Sequence, residues 1–106
     1  MRRFTAKELS EYLQKCDSPP LLLDVREPWE YEKCRLDGSE LVPVRQIPMA
    51  AENLDPEKET VVICHHGIRS RQVGFYLEQQ GFKSVINLEG GVEAWAQDVD
   101  PTMNQY

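Results

Sequence analysis

One short segment of the chain combines a potential nucleophile with two cationic side chains: Cys64-His65-His66-Gly67-Ile68-Arg69-Ser70-Arg71. A cysteine thiolate can attack a substrate atom and hold it covalently, and arginine attracts and orients anions. No acidic residue occurs between Glu59 and Glu78, although the whole chain has 18 acidic residues in 106. The residue types and the local charge therefore predict covalent chemistry on an anionic substrate, in an electropositive site on an acidic background.

The elements on either side of this segment would place it at the edge of a parallel sheet. Residues Thr60–Ile63 are apolar or β-branched, as in a buried strand, and Cys64 closes that strand. Apolar residues recur at helical spacing over residues 69–80, and Gly81 follows as a helix-ending glycine. Ligands bind beyond the carboxyl ends of parallel strands, where a helix N-terminus presents backbone N–H groups to an anion. We therefore expect the N–H groups of His65 to Ser70 to favour the thiolate form of Cys64.

Strands and helices alternate along the rest of the chain, which predicts an α/β domain with a mostly parallel sheet and helices on both faces. The other predicted strands are residues 21–25, 41–42 and 84–88. The other predicted helices follow the capping box Thr5–Glu8 or span residues 27–32 and 92–96. A single domain is expected over residues 1–106, with its core at about 4–97 and a polar, frayed tail at 98–106.

Length, charge and hydropathy exclude several classes of protein. The chain has 106 residues, of which 12 are basic and 18 acidic, giving a net charge of −6. Binding to nucleic acid or to an anionic lipid surface requires a basic face, so neither partner is expected. The longest stretch without a charged residue is Thr60–Ile68, and a membrane-spanning helix needs roughly 20 apolar residues. The basic start Met1–Phe4 has no apolar run behind it, so a cytoplasmic location without a secretory signal is predicted.

The spacing of the other cysteines and of the paired histidines does not support a disulfide or a metal site. Cys16, Cys34 and Cys64 are widely spaced, odd in number and without a Cys-x-x-Cys pair. Cys16 and Cys34 are therefore interpreted as incidental small apolar residues. His65 and His66 are adjacent on a tight loop and are expected to point apart, which makes them loop residues rather than metal ligands.

Several short motifs, in the expected order, resemble the rhodanese (sulfurtransferase) domain family over nearly the whole chain. Cys64–Ser70, with the sequence CHHGIRS, resembles the C-x-x-G-x-R-S active-site loop of that family. Leu23–Arg26 resembles its L-D-V-R signature, and Trp29–Tyr31 resembles the aromatic and acidic turn behind it. Leu88–Gly91 with Trp95 resembles the closing L-x-G-G-x-x-x-W. The resemblance implies a rhodanese-like three-layer α/β/α fold with a mostly parallel five-stranded sheet.

The same resemblance implies a two-step sulfur transfer that uses no metal and no organic cofactor. The Cys64 thiolate would attack the outer sulfur of a small anionic donor such as thiosulfate, sulfite would leave, and Cys64 would become a persulfide. Cyanide, a thiol or a sulfur-carrier protein would then accept the sulfur. The loop N–H groups would stabilise the anionic persulfide. Arg69 and Arg71 would attract the donor, and Arg69 would also hold the far end of the loop. A monomer or weak homodimer is expected.

Two other function classes remain open at this point. Protein tyrosine phosphatases and arsenate reductases also place a cysteine and an arginine before a helix, but with five residues between them. Four residues separate Cys64 from Arg69, and this tighter loop fits a sulfur atom better than a tetrahedral phosphate. The third class is a non-catalytic binding module of rhodanese-like fold, and the presence of Cys64 counts against it.

Three further residues are assigned structural rather than catalytic roles. Asp24 and Arg26 lie at the end of a buried strand, where a charged pair usually fixes the neighbouring loops. Arg26 is predicted to pair with a carboxylate such as that of Glu32. Gly67 lies in a tight loop, so we expect it to have a positive φ or to approach another segment closely.

Overall fold

The computed structural model describes residues 1–106 and contains one sheet of five parallel strands. The strands are β1 Arg2–Phe4, β2 Leu21–Asp24, β3 Glu40–Leu41, β4 Thr60–Ile63 and β5 Val85–Leu88. Their order across the sheet is β1-β5-β4-β2-β3, and every neighbouring pair is parallel. The central strand is therefore β4, and Cys64 follows it at the edge where β2 and β5 also end.

Four α-helices lie in the connections between strands, α1 Ala6–Lys15, α2 Pro28–Lys33, α3 Ile47–Ala50 and α4 Ile68–Gln79, and a fifth, α5 Gly91–Asp98, follows β5. Short 3-10 turns flank α3 on both sides. The predicted capping box at the start of α1 is confirmed, because Thr5 and Glu8 each accept a hydrogen bond from the backbone N–H of the other. None of the helices has the length and the apolar character needed to cross a lipid bilayer.

Side chains on the two faces of the sheet form two buried clusters, which confirms the predicted α/β class with helices on both faces. The first cluster contains Val62 and Cys64 together with apolar residues of α4. The second contains Val61 and Ile63 together with apolar residues of α1 and α5. Successive side chains of a strand point to opposite faces, so the side chain of Cys64 lies on the side covered by α4.

The sequence does not predict β1, which completes the five-stranded sheet that the family resemblance implies. Arg2, Arg3 and Phe4 pair with the last three residues of β5 at one edge of the sheet. The two arginines are exposed and Phe4 is only partly buried. A short edge strand with charged side chains is common in sheets but shows no apolar alternation, so the usual strand signal is missing here.

The prediction of a frayed tail at residues 98–106 is wrong. A turn after α5 has a hydrogen bond of 3.0 Å from the N–H of Met103 to the carbonyl of Asp100. The chain then returns to the body of the domain, where the hydroxyl of Tyr106 contacts Arg26 and Glu30. Met103 and Tyr106 also pack against the apolar cluster of α1 and α5. Two isolated anchors in a polar segment form no periodic pattern, so the sequence gives no sign of this docking.

Candidate active site

The side chain of Cys64 is almost completely buried, and two backbone N–H groups face its sulfur. Cys64 is 1% exposed and follows the last residue of the central strand. Its Sγ accepts hydrogen bonds from the backbone N–H of Gly67 at 3.0 Å and of Ser70 at 3.4 Å. The hydroxyl oxygen of Ser70 lies 3.3 Å from the same sulfur. The two backbone N–H donors stabilise negative charge on the sulfur, because they are already oriented and are shielded from water.

The structure shows both of the features that were predicted to require glycine at position 67, a positive φ and a close approach to another segment. Gly67 precedes α4 and has a φ of +96°, a conformation that L side chains rarely adopt. A Cβ at this position would lie 3.1 Å from the nitrogen of Gly90 and 3.2 Å from the carbonyl oxygen of Leu88. Gly67 therefore allows both the reversal of the loop and its close packing against the segment that follows β5.

The first turn of α5 holds the carbonyl groups at the start of the loop. The N–H of Val92 donates to the carbonyl of Cys64 at 2.9 Å, and the N–H of Glu93 donates to the carbonyl of His65 at 3.2 Å. Gly91 has a φ of +60°, and a Cβ there would overlap both carbonyl oxygens. Because these carbonyls face α5, the later N–H groups of the loop are free to face the sulfur. The sequence indicates a turn at Gly90-Gly91, but this supporting contact cannot be read from it.

The buried side chain of Asn87, which the sequence analysis did not single out, forms hydrogen bonds with the Cys64 loop. Asn87 lies in β5, is fully buried, and donates through Nδ2 to the carbonyl of Gly67 at 3.2 Å. Its Oδ1 accepts a hydrogen bond from the hydroxyl of Ser70. Asn87 thus contacts the two residues whose N–H groups face the sulfur. A polar residue in an otherwise apolar buried strand was the available signal, since buried polar groups need partners.

The structure places Arg69 in a paired arrangement with Glu30 of α2. Two nearly parallel hydrogen bonds join the groups, Nη1 to Oε1 at 2.8 Å and Nη2 to Oε2 at 2.9 Å. Burial alone would raise the pKa of Glu30, but hydrogen bonds from Arg69, from the backbone N–H of Glu27 and from Tyr106 outweigh it and lower the pKa to about 2. Arg69 therefore carries a permanent ion pair that anchors the far end of the loop to α2.

Arg26 pairs with a carboxylate, as predicted, but the carboxylate is that of Asp24 rather than that of Glu32. Its guanidinium is fully buried and forms an ion pair with Asp24, with Nη2 2.7 Å from Oδ2. Other N–H groups of Arg26 donate to the backbone carbonyls of Glu30 at 3.2 Å and Cys34 at 2.6 Å. Glu32 is exposed on α2, whereas Asp24 ends the strand beside Arg26. Asp24 and Arg26 form no hydrogen bond with Cys64, and Arg26 joins the C-terminal half of α2 to the end of β2.

A side chain far along the sequence, that of Tyr106, completes this network. Its hydroxyl accepts from Arg26 Nη1 at 2.9 Å and donates to Glu30 Oε2 at 2.7 Å. Burial and the hydrogen bond to Glu30 raise the pKa of Tyr106, so it stays a neutral phenol. The ring stacks on His65 with 4.0 Å between the ring centroids, and its edge meets Trp29 at 5.5 Å. No spacing rule in the sequence indicates this contact.

The expectation that His65 and His66 point apart is wrong. Their rings stack at 4.0 Å and 22°, and His65 lies between His66 and Tyr106. Burial and the neighbouring His66 lower the pKa of His65. His66 Nε2 lies 3.3 Å from Glu93 Oε2, and one ligand atom from each histidine and from Glu93 lie within 4.8 Å of one another. The lone pair of each imidazole lies in the plane of its own ring, and the two rings are stacked with their centroids 4.0 Å apart, so one metal ion could meet both lone pairs only if a ring turned.

The remaining residues of the segment lie on the exposed side of the first turns of α4. Ile68 is 59% exposed and Arg71 is exposed as well. None of the eight ion pairs in the structure includes Arg71. Of the two arginines that were expected to attract an anionic donor, Arg71 is therefore the one without a carboxylate partner.

The fold and the site together define a class of protein: single α/β domains in which a cysteine at the end of the central strand lies in a backbone cradle before a helix. The chain belongs to the rhodanese-like domain family, whose sequence model matches residues 5–98. This match confirms the family resemblance found in the short motifs.

Relatives of known sequence and structure agree with this assignment. The chain is 37% identical over 101 residues to the putative sulfurtransferase YtwF of Bacillus subtilis, covering 95% of this chain and 96% of that protein. It is 46% identical over 89 residues to the chloroplastic rhodanese-like/PpiC domain-containing protein 12 of Arabidopsis thaliana, covering 80% of this chain but only 30% of that protein. A crystal structure of a rhodanese-like domain protein from Staphylococcus aureus superposes with a TM-score of 0.85 at 28% identity, covering 100% and 99% of the two chains.

Proposed function

We propose that this protein is a sulfurtransferase that carries a sulfane sulfur as a persulfide on Cys64. The observation that carries the proposal is the position of the Cys64 sulfur, buried and faced by the N–H groups of Gly67 and Ser70. The similarity to a putative sulfurtransferase over almost the full length of both chains supports the same class of reaction. The proposed donor is a small anion such as thiosulfate.

The first proposed step transfers one sulfur atom to the enzyme. The Cys64 thiolate attacks the outer sulfur of thiosulfate, and a new S–S bond forms. The sulfur–sulfur bond of thiosulfate breaks, and its electron pair leaves with sulfite. The negative charge now resides on the outer persulfide sulfur, and the N–H groups of the loop are oriented to stabilise it. Atoms and charge balance without a proton, an external oxidant or a reductant.

The second proposed step returns the enzyme to its starting form. An acceptor nucleophile attacks the outer persulfide sulfur, and the electron pair of the enzyme S–S bond returns to Cys64 as the thiolate. With cyanide the product is thiocyanate, and with a thiol or a sulfur-carrier protein it is a new persulfide or its equivalent. Because Cys64 itself holds the sulfur between the steps, the proposed cycle needs no metal and no organic cofactor.

The ion pair of Arg69 favours sulfur chemistry over phosphate chemistry. A phosphatase of this type uses its arginine fork to hold the phosphate oxygens, whereas both terminal nitrogens of Arg69 donate to Glu30. Arg71, which is exposed and has no carboxylate partner, is the cation that we assign to attraction of the donor. Arg69 is then assigned a structural role, in which its ion pair with Glu30 holds the loop in place.

Intact-mass measurement after incubation with thiosulfate tests the proposal. We expect the protein to gain the mass of one sulfur atom and to lose it when cyanide is added. Cys64→Ser should gain nothing, whereas the matched variants Cys16→Ser and Cys34→Ser should behave like the wild type. If no sulfur is gained and an aryl phosphate or arsenate is turned over instead, the phosphatase or reductase class replaces the proposal. If neither reaction occurs, a binding module is indicated.

A further inference from the structure

A single side chain, that of Tyr106, contacts structures at both ends of the Cys64 loop. At the beginning of the loop, its ring stacks on His65, the residue that follows Cys64, with centroids 4.0 Å apart and planes at 22°. The other face of His65 is covered by His66. The ring of Tyr106 thereby limits the rotation of His65, whose carbonyl is held by the first turn of α5.

At the far end of the loop, Tyr106 acts through Glu30. Its hydroxyl donates to Glu30 Oε2 at 2.7 Å, and the same oxygen accepts from Arg69 Nη2 at 2.9 Å. Arg26 donates to the hydroxyl at 2.9 Å, so the phenol is engaged as donor and as acceptor. Two charge-assisted contacts fix the rotation of the ring and orient the carboxylate that holds Arg69.

We propose that Tyr106 is a positioning residue of the active site, which holds both ends of the loop through His65 and through the Glu30–Arg69 pair. The N–H groups that face the sulfur belong to Gly67 and Ser70, and both lie between or directly beside these two anchored positions. Small displacements of catalytic groups can cost about two orders of magnitude in rate. Tyr106 does not contact the sulfur, so its influence on the reaction passes through the shape of the loop.

Two substitutions separate the contributions of the ring and the hydroxyl. Tyr106→Phe keeps the stacking on His65 and removes the hydrogen bonds to Glu30 and Arg26, whereas Tyr106→Ala removes both. Tyr12 offers a matched control, because its hydroxyl also donates to a glutamate, Glu59, and its ring also packs on an aromatic ring. Glu59 precedes β4, at the opposite end of the strand from Cys64.

The first measurement is the single-turnover rate of sulfur uptake from thiosulfate, and this readout depends on the proposed function. We expect Tyr106→Ala to lower the maximal rate by about tenfold, with less than about a twofold change in the half-saturating thiosulfate concentration. Tyr106→Phe should recover only part of the loss, because the stacked ring remains but the hydrogen bond to Glu30 is missing. A lost binding contact would instead change the half-saturating concentration and leave the maximal rate intact.

The second measurement does not depend on sulfur transfer. The backbone amide resonances of Gly67 and Ser70 report their hydrogen bonds to the sulfur, and Tyr106→Ala should shift both, whereas Tyr12→Ala should leave them in place. If the amides respond but wild-type protein takes up no sulfur, the proposed function fails and the role of Tyr106 stands. If Tyr106→Ala changes the amides and the rate no more than Tyr12→Ala does, the role of Tyr106 is refuted.

Discussion

The carboxylate of Glu30 and the guanidinium of Arg69 face each other through two hydrogen bonds of 2.8 and 2.9 Å, across 39 residues of sequence. Glu30 is 4% exposed, whereas the side chain of Arg69 is 39% exposed. The pair joins α2 to the first turn of α4 and so connects the loop of Cys64 to the end of β2. Its position makes the stability of the domain and the shape of the site depend on the same contact.

Removing the charge of Glu30 should destabilise the domain moderately. Glu30→Gln keeps the size of the side chain and one acceptor oxygen, but it leaves the guanidinium of Arg69 without its counter-ion. A fully buried broken pair costs about 3–5 kcal/mol, but the partial exposure of Arg69 reduces this, so we expect about 1–2 kcal/mol in urea unfolding. Glu27→Gln, which breaks the exposed pair with Arg45, should change the free energy of unfolding by less than about 0.5 kcal/mol. Equal effects of the two substitutions would contradict this ranking.

The same carboxylate should make stability fall in acid. The pKa of Glu30 is lowered from 4.5 to about 2 in the folded protein, so folding favours the ionised form. Its contribution is therefore complete above about pH 4.5 and is lost as the pH falls towards about 2. The free energy of unfolding, measured between pH 2 and 6, should have a smaller slope in Glu30→Gln than in the wild type. Parallel curves for the two proteins would rule out this linkage.

Asn87 should be required for both stability and sulfur uptake. Asn87→Leu keeps the approximate volume, but it leaves the carbonyl of Gly67 and the hydroxyl of Ser70 without their buried partner. Each unsatisfied buried group costs about 1–3 kcal/mol, so for two such groups we expect a loss of about 2–6 kcal/mol and slower sulfur uptake. Asn104→Ala, which removes an exposed amide bonded to the carbonyl of Lys33, provides the control and should leave both properties unchanged. Wild-type behaviour of Asn87→Leu would show that the loop does not need this support.

Gly91 should tolerate no side chain. In Gly91→Ala the new Cβ would overlap the carbonyl oxygens of Cys64 and His65, so the start of the loop must move. Gly38→Ala isolates the backbone effect, because Gly38 also has a positive φ, +81°, but a Cβ there would meet no atom within 4 Å. The control should lose about 1–2 kcal/mol of stability and keep its sulfur uptake. Gly91→Ala should lose more stability and most of the uptake, and retention of uptake would disprove the steric argument.

Arg71 should assist binding of the anionic donor through long-range attraction. Arg71→Ala is expected to raise the half-saturating concentration of thiosulfate by about two- to fivefold, the equivalent of about 0.5–1 kcal/mol for an exposed charge. The effect should shrink as ionic strength rises, because salt screens exposed charges. Arg35→Ala removes another exposed arginine, one that lies over the ring of Tyr31, and should leave the donor dependence unchanged. An effect of Arg71→Ala that persists in high salt would point to a direct contact instead.

The parts of the site that the sequence predicts are those that depend on neighbouring residues. The strand before Cys64, the turn at Gly67 and the helix after it follow from local apolar spacing and from the conformational freedom of glycine. The carboxylate partner of Arg69 and the tyrosine partner of Arg26 could not be predicted in the same way. Glu30 and Tyr106 reach the site through contacts across 39 and 80 residues, and only the packed fold brings them together.

The turn after β5 and the loop after β4 pack backbone against backbone, with glycines where a side chain would otherwise separate them. Asn87 and the first turn of α5 add hydrogen bonds between the same two segments. For protein engineering, the Cys64 loop therefore cannot be transferred to another protein on its own. A graft of residues 64–70 onto another parallel sheet would have to include residues 87–93 as well. The conformation of residues 64–70 depends on their contacts with that second segment.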